Sequence, residues 1–205
     1  MSIHPSAIVC IVGGAVAGSE AAHCLAQRGV RSVVIEMEAV PWGKIELGLP
    51  KWHHKQRDKE EATIDERLGS PLVTYVPSTK LGRDVTLEEL LGWGFDAILL
   101  AIGAWKDRPL PVPGIDAFEN RGLIYQNPFV AQFNQYHSPD YNGPSLEIQD
   151  DAMVVGGGLA SLDVVKILML ETTARALRQR GLKADLFALE KKGIPKILQQ
   201  LGVSW

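Results

Sequence analysis

Two glycines and one acidic residue near the N-terminus are the residues best placed to do chemistry. Gly13 and Gly18 occupy the outer positions of a G-x-G-x-x-G pattern, and Glu36 follows Gly13 by 23 residues. Between a strand and a helix, such a turn directs backbone N–H groups and the positive end of the helix at a pyrophosphate. An acid about 20 residues further on accepts hydrogen bonds from ribose hydroxyls. The spacing therefore predicts a dinucleotide site.

The middle position of this pattern is a departure, because Ala15 stands where a glycine is expected. That glycine normally allows the pyrophosphate to approach the backbone closely. We predict that the methyl group at this position pushes the phosphate back or tilts it, which would weaken cofactor binding.

A second glycine turn lies in residues 156–161, with Gly156 and Gly158 in the first two positions and Ser161 in the third. A small third residue suits close packing of a helix on a strand. No later strand ending in an acid or an arginine follows it. Two interpretations stay open: a second dinucleotide site, and a glycine turn used only for packing.

The elements that would position these turns follow from the hydrophobic pattern, in which continuous apolar runs are typical of buried parallel strands. The predicted strands are residues 7–12, 32–35, 72–76, 97–102 and 152–155. The predicted helices are residues 19–28, 58–68 and 159–180, with a capping box at 86–89 opening a short helix and a helical remainder after 180. Residues 106–114 are predicted to be a connector, and residues 126–150 to be irregular.

Composition and charge exclude several classes of function. A net charge of −3 gives no basic excess for a nucleic-acid partner. No apolar run reaches the roughly 20 residues that span a membrane, and the N-terminus predicts no signal or transit peptide. Cys10 and Cys24 are predicted to be buried, reduced thiols, which favours the cytoplasm. Two cysteines cannot ligate an iron–sulfur cluster by four thiolates, and no metal site is predicted.

From residue 7 onward, the order of motifs resembles the NADPH-dependent FAD flavoproteins related to adrenodoxin reductase (ferredoxin–NADP reductase) and to the glutamate synthase small subunit. The matching segments are IVGGAVAGSEAA with VVIE, PWGK followed by GLP, KLGRDVTLEELL, FDAILLAIGAW, LPVPGID and VVGGGLASLDVVKIL. The segment NPFVAQFN is more similar to the adrenodoxin-reductase side of the family.

The resemblance implies an α/β fold, with a Rossmann-type three-layer FAD-binding domain followed by the start of a second Rossmann-type NAD(P)-binding domain. The implied division is residues 1–110 for the first segment of the FAD domain, 111–150 for a connector and 151–205 for an incomplete NAD(P) domain.

The resemblance also implies two cofactors, FAD and NADP (or NAD), and the residues that hold them. At the FAD pyrophosphate and ribose these are Gly13, Gly14, Ala15, Val16, Ala17, Gly18, Glu36 and Met37. Along the rest of FAD they are Gly43, Lys44, Ile45, Leu49, Leu81, Ala101, Ile102, Gly103 and Ala104, with Ile102 replacing the family's usual Thr. At the pyrophosphate of NADPH they are Gly156, Gly157, Gly158, Leu159, Ala160 and Ser161.

His53 matches a histidine that follows the flavin loop in adrenodoxin-reductase-like members. Two interpretations stay open for it: a role near the flavin and a solvated surface histidine. No other side chain is predicted to be catalytic, since the flavin itself carries out the hydride chemistry.

The implied function is electron transfer from NAD(P)H through FAD to an iron–sulfur protein such as ferredoxin. In the family, the last segment of the FAD domain follows the NADPH domain, and this sequence ends before that point. We therefore expect a fragment, a fold completed by a second chain, or a degenerate relative. The alternatives are a glutamate-synthase-type small subunit, and a flavin-binding module or subunit without turnover of its own.

Overall fold

The computed structural model of the protein describes residues 7–203, which form two compact units. The first unit contains residues 7–49 and 54–105, and the second contains residues 50–53 and 106–203. The expected division into a first FAD-domain segment (1–110), a connector (111–150) and an incomplete NAD(P) domain (151–205) stays a prediction.

The first unit is built on a sheet of four parallel strands in the order β3-β2-β1-β4. The strands are β1 (Ile8–Val12), β2 (Arg31–Ile35), β3 (Val73–Val76) and β4 (Ala97–Leu100). All four were predicted from their apolar runs, and β4 ends two residues earlier than expected. In the register of the sheet, Val12 pairs with Ile35 on one side and with Leu100 on the other. The carboxyl ends of the strands therefore meet at one edge.

Helices cover both faces of this sheet. They are α1 (Val16–Ala26), α2 (Lys44–Gly48), α3 (His54–Leu68) and α4 (Leu87–Gly92). Successive residues of a strand point to opposite faces, so Ile11 packs with α1 and α3, whereas Cys10 packs with Leu90 of α4. The result is the predicted three-layer α/β arrangement, although α1 and α3 begin three and four residues earlier than the predicted 19 and 58.

Helices are the regular elements of the second unit among its described residues, and irregular segments connect them. Its helices are α5 (Gln126–Tyr136), α6 (Leu159–Gln179), α7 (Leu186–Lys192) and α8 (Ile194–Gln200), with short 3-10 turns at Lys51–His53 and Ile115–Phe118. Helix α6 buries Ile167, Leu170, Ala174 and Leu177, which are spaced three or four residues apart on one face. That face forms a core with Phe133 and the other three helices.

Two predictions for this unit are wrong. The strand predicted at residues 152–155 does not form, and Met153 and Val155 are 87% and 65% exposed. A strand needs a neighbour for its backbone hydrogen bonds, and residues 106–203 supply no other strand. Residues 126–150 were predicted to be irregular, but the first part of this segment forms helix α5. Its buried Phe129, Val130 and Phe133 anchor it in the core, which the surrounding polar residues concealed.

Candidate functional site

The turn between β1 and α1 is held tightly against the backbone that follows β4. Gly13 has a φ of +100°, and its amide donates to the carbonyl oxygen of Ile35 at 2.7 Å. A Cβ at Gly13 would lie 2.4 Å from the carbonyl oxygen of Ala101. A Cβ at Gly18 would lie 1.8 Å from the carbonyl oxygen of Gly13. Both outer glycines are therefore required by close packing of backbone on backbone.

Glu36, at the end of β2, is bonded directly to this turn. Its Oε2 accepts from the amide of Gly14 at 2.7 Å, and its Oε1 accepts from the amide of Glu38 at 3.1 Å. The side chain is buried, with 5% of the residue exposed. A carboxylate oxygen can accept more than one hydrogen bond, so each oxygen keeps capacity for a ribose hydroxyl. The structure thus brings together the two features on which the dinucleotide prediction rests.

The start of α1 is suited to an anion. Ala15 is the N-cap residue, no side chain caps the helix, and no acidic residue lies in its first turn. The first amides of a helix have no partner within the helix, and the helix dipole makes this end positive. A pyrophosphate would supply the missing acceptors. The uncapped helix, the closely packed glycines and Glu36 together fit the phosphate and ribose of a dinucleotide.

The start of α2 lies beside the glycine turn. Gly43 has a φ of +53°, and a Cβ placed on it would lie 2.9 Å from the Cβ of Ala15. Lys44 follows, with its Nζ 5.9 Å from the centre of the Trp105 ring. The side chain of Ile45 is buried in the core, so only its backbone can face a ligand. Leu49 has extended backbone at the end of α2.

The other residues predicted to contact FAD also follow the carboxyl ends of strands. Met37 comes after β2, and residues 101–104 come after β4. Leu81 lies beyond β3 in an isolated bridge with Val85, and the amide of Thr79 in the same segment donates to the backbone oxygen of Glu36 at 2.8 Å. Ligands of open parallel sheets bind at this edge. The predicted FAD residues therefore share one edge of the first unit, and their roles remain predictions.

Tyr75 in β3 is a site residue that the sequence did not indicate. An edge atom of its ring would lie 3.5 Å from a Cβ on Gly14, and its hydroxyl is buried without a hydrogen-bond partner among the described residues. Burial, followed by the charges of Glu36 and Asp65, raises the pKa of Tyr75 to about 12. The ring supports the turn as a neutral phenol. The only sequence signal was an aromatic residue near the end of a strand.

The second glycine turn is placed very differently. Gly156 has a φ of +145°, and a Cβ on it would lie 2.3 Å from the Oγ of Ser161. Gly158 is the N-cap residue of α6, and no side chain caps that helix. Cβ atoms on Gly157 and Gly158 would meet nothing within 4 Å. The residues predicted for NADPH therefore surround an exposed helix N-terminus, with Leu159 83% exposed and no strand leading into it.

His53 lies in the second unit, on the 3-10 turn Lys51–His53. Its Nε2 is 2.9 Å from Oδ1 of Asp163, in the second turn of α6. This contact orients the ring, whose side chain is 35% exposed, and both interpretations of His53 stay predictions.

Two kinds of feature are absent from the described residues 7–203. No helix there is both long and apolar enough to cross a membrane. No group of three or more His, Cys, Asp or Glu side chains there is arranged to hold a metal ion.

Comparison with curated proteins finds relatives that are NADPH-dependent reductases. The chain is 30% identical to the mitochondrial NADPH:adrenodoxin oxidoreductase of Arabidopsis thaliana over 92% of its own length and 38% of the relative. It is 32% identical to the NADPH-Fe(3+) oxidoreductase subunit beta of Geobacter sulfurreducens over 80% of its own length and 23% of the relative. The chain thus spans less than two fifths of the length of these relatives.

A solved structure of an NADPH-binding protein is also similar to this chain. Mycobacterium tuberculosis FprA in complex with NADPH matches 83% of this chain and 38% of that chain, with a TM-score of 0.63 and 25% identity. The sequence model of one family, described as pyridine nucleotide-disulphide oxidoreductase, matches residues 7–187. The expected resemblance to the adrenodoxin-reductase-like flavoproteins is confirmed, and the chain belongs to the pyridine nucleotide-disulphide oxidoreductase family.

Proposed function

We propose that the first unit binds FAD and that the chain is part of an oxidoreductase that passes electrons from NADPH to an iron–sulfur protein. The observation that carries the proposal is the contact of Glu36 with the amide of Gly14, beside the uncapped start of α1. This contact couples a ribose acceptor to a pyrophosphate-binding turn. The names of the relatives support NADPH as the electron donor and an adrenodoxin- or ferredoxin-like acceptor.

In this proposal the first unit supplies binding and orientation. The amides of residues 15–18 hold the pyrophosphate, and Glu36 fixes the adenosine ribose. The backbone of residues 43–45, with Leu49, borders the flavin, while Leu81 and residues 101–104 border the rest of the cofactor. FAD, when bound, supplies the hydride-accepting and single-electron chemistry. The protein residues position it and exclude water.

In the second unit, residues 156–161 at the start of α6 would bind the pyrophosphate of NADPH. His53, oriented by Asp163, is the one titratable side chain proposed to act near the flavin. Hydride transfer requires no acid or base from the protein, so the role of His53 would be to orient the cofactors or handle a proton.

The first unit has an open sheet edge that supports a further segment of polypeptide. Among the described strands, β4 has a neighbour on one side only, and it exposes Leu99 and Leu100 by 41% and 49%. Exposed apolar edge strands readily pair with another strand. A second chain completing the fold would cover this edge. Light scattering should then show association of the purified chain, and Leu99→Lys should reduce that association; a monodisperse monomer would contradict it.

The cytoplasm is the compartment we propose, and the two free thiols support it. Cys10 is fully buried, as predicted, and burial raises the pKa of its thiol. Cys24, which was also predicted to be buried, is only partly buried, and its Sγ donates to Oε1 of Glu20 at 3.4 Å. Unpaired thiols suit a reducing environment. Cell fractionation tests the location.

Titration of the purified chain with FAD tests the proposed function. Saturable binding with one FAD per chain is expected. Gly13→Ala should abolish it, because the new Cβ would collide with the backbone of Ala101. Gly92→Ala is the matched control, since a Cβ at Gly92 meets nothing within 4 Å. A wild-type chain that takes up no FAD would refute the proposal.

A second candidate function is FAD binding without turnover. The exposed second turn favours it, because no strand positions residues 156–161. An assay of NADPH oxidation with an artificial electron acceptor separates the two functions. A chain that binds FAD but does not oxidise NADPH is a binding module, whereas saturable turnover assigns the reductase activity to this chain.

A further inference from the structure

The methyl group of Ala15 stands at the position where the dinucleotide motif has a glycine. It belongs to the N-cap residue of α1, next to the helix amides proposed to hold the pyrophosphate. Ala15 is half-buried. Its Cβ lies only 2.9 Å from the position that a Cβ on Gly43 would take.

This distance shows what the methyl group faces. Atoms that close cannot both be present, so the methyl of Ala15 occupies space that is available only because residue 43 is a glycine. The φ of +53° at Gly43 also disfavours any side chain there. The start of α1 and the start of α2 therefore meet through one methyl group and one glycine.

We propose that Ala15, packed against Gly43, sets the affinity of the cofactor site by holding the diphosphate away from the turn. The inference rests on the proposed FAD site. A phosphate oxygen bonds a backbone amide at about 2.7–2.9 Å, and the glycine of the motif permits this approach. The methyl group fills part of that approach, so this chain binds FAD more weakly and more reversibly than it would with glycine at residue 15.

Glycine should be well tolerated at this position. Ala15 has φ −68° and ψ −155°, which glycine can adopt, and glycine is a better N-cap residue than alanine. The Ala15→Gly variant is therefore expected to fold, so its cofactor affinity can be compared directly with that of the wild type.

Titration with FAD, followed by quenching of flavin fluorescence, tests the proposal. Ala15→Gly should lower the dissociation constant by roughly tenfold to a hundredfold, the range expected for one charge-assisted hydrogen bond gained. The control is Ala26→Gly, in the last turn of α1 and away from the turn, which should leave the dissociation constant unchanged.

Thermal unfolding tests the contact itself. Gly43→Ala should lower the melting temperature more in the wild type than in the Ala15→Gly background, because only the wild type has the methyl–methyl collision. Backbone strain at residue 43 is the same in both backgrounds and cancels in the comparison.

The outcomes separate the inference from the FAD site on which it rests. If the wild type binds FAD and Ala15→Gly binds it equally or less tightly, the inference is wrong and the FAD site stands. If Ala15→Gly binds FAD and the wild type does not, the inference about the methyl group holds, and the proposal that the wild-type chain binds FAD is refuted. If neither chain binds FAD, both are overturned.

Discussion

The two glycine turns of this chain have similar sequences and different structures. The turn at Gly13–Gly18 is enclosed: its first amide bonds to β2, and its glycines touch the backbone of Ala101 and of the turn itself. The turn at residues 156–158 is exposed, and Gly157 has open space around it. Both turns precede a helix that no side chain caps.

The difference shows that a paired sheet, and not the glycine pattern, creates the tight turn. In the first unit, β1 has neighbours on both sides, and these bring Glu36 and Ala101 to the turn. In the second unit, residues 152–155 are unpaired, and the described part of that unit contains no other strand. Glycine permits the close approach, but the sheet supplies the backbone that is approached.

The largest expected effect comes from adding a side chain to the enclosed turn. In Gly18→Ala the new Cβ would lie 1.8 Å from a backbone oxygen, so the turn must move. We expect a loss of roughly 3 kcal/mol of unfolding free energy, at the upper end for overpacking. Gly157→Ala should change it by no more than about 0.5 kcal/mol. Urea unfolding of both variants measures the contrast.

Equal losses of unfolding free energy in Gly18→Ala and Gly157→Ala would contradict the difference between the two turns. They would mean either that the first turn can relax or that the second is packed as tightly as the first. Flavin retention gives an independent readout, because it should be lost only in Gly18→Ala.

The next effect concerns the acid that ties the first turn to β2. Glu36→Ala removes an acceptor from a ribose hydroxyl and from the amide of Gly14. A hydrogen bond to a charged group contributes about 1.5–3 kcal/mol, so FAD affinity should fall by roughly tenfold to a hundredfold. Calorimetric titration measures it. Glu36→Gln keeps one oxygen as an acceptor and should lose less, and an unchanged dissociation constant in Glu36→Ala would contradict the ribose role.

The second unit should owe its stability to buried contacts between helices and not to its glycine turn. Nε2 of His137, at the end of α5, lies 2.5 Å from Oε1 of Glu171 in α6, and the Glu171 side chain is 7% exposed. Glu171→Ala leaves His137 without this partner and should cost about 1.5–2 kcal/mol, measured by thermal unfolding. Glu171→Gln, which keeps an acceptor, should cost less. A neutral Glu171→Ala would show that the pair adds no stability.

The same contrast explains which parts of the fold the sequence could predict. The first unit follows from local patterns: each strand is a short apolar run, and each lies beside another such run in the sheet. The failed strand at 152–155 has the same local pattern, but pairing depends on residues distant in sequence. Helix α5 was missed for the opposite reason, because Phe129 and Phe133 are buried by α6 and α7, which only the tertiary structure shows.

The candidate site was predictable to a similar extent. The roles of Gly13, Gly18 and Glu36 followed from their spacing, because the motif requires these residue types at fixed intervals. The ring of Tyr75 beside Gly14 and the contact of Ala15 with Gly43 did not follow. Both join segments that are adjacent only because parallel strands place their ends together.

The smallest expected loss of stability is at Thr86, whose capping box involves only the four residues 86–89. Oγ1 of Thr86 accepts from the amide of Glu89 at 3.2 Å, and Oε2 of Glu89 accepts from the amide of Thr86 at 2.7 Å. This is the predicted capping box. Thr86→Ala should cost about 1 kcal/mol of unfolding free energy, and Thr86→Ser should cost less, because serine retains the acceptor.

The stability that this capping box contributes should depend on pH. The box forms from local sequence without help from the sheet, unlike the turn at Gly13–Gly18. The backbone hydrogen bond from Thr86, and then the bond from its hydroxyl, lower the pKa of Glu89 below the usual value of 4.5. A carboxyl group with a lowered pKa in the folded state stabilises the protein fully above its unfolded pKa, and this stabilisation is lost as the pH falls through the folded value. The stability difference between wild type and Glu89→Gln, measured by urea unfolding, should therefore be constant from pH 7 down to about 5. It should shrink as the pH falls below 4.5. A difference that persisted undiminished at lower pH would show that the ionised carboxylate of Glu89 is not what stabilises the start of α4.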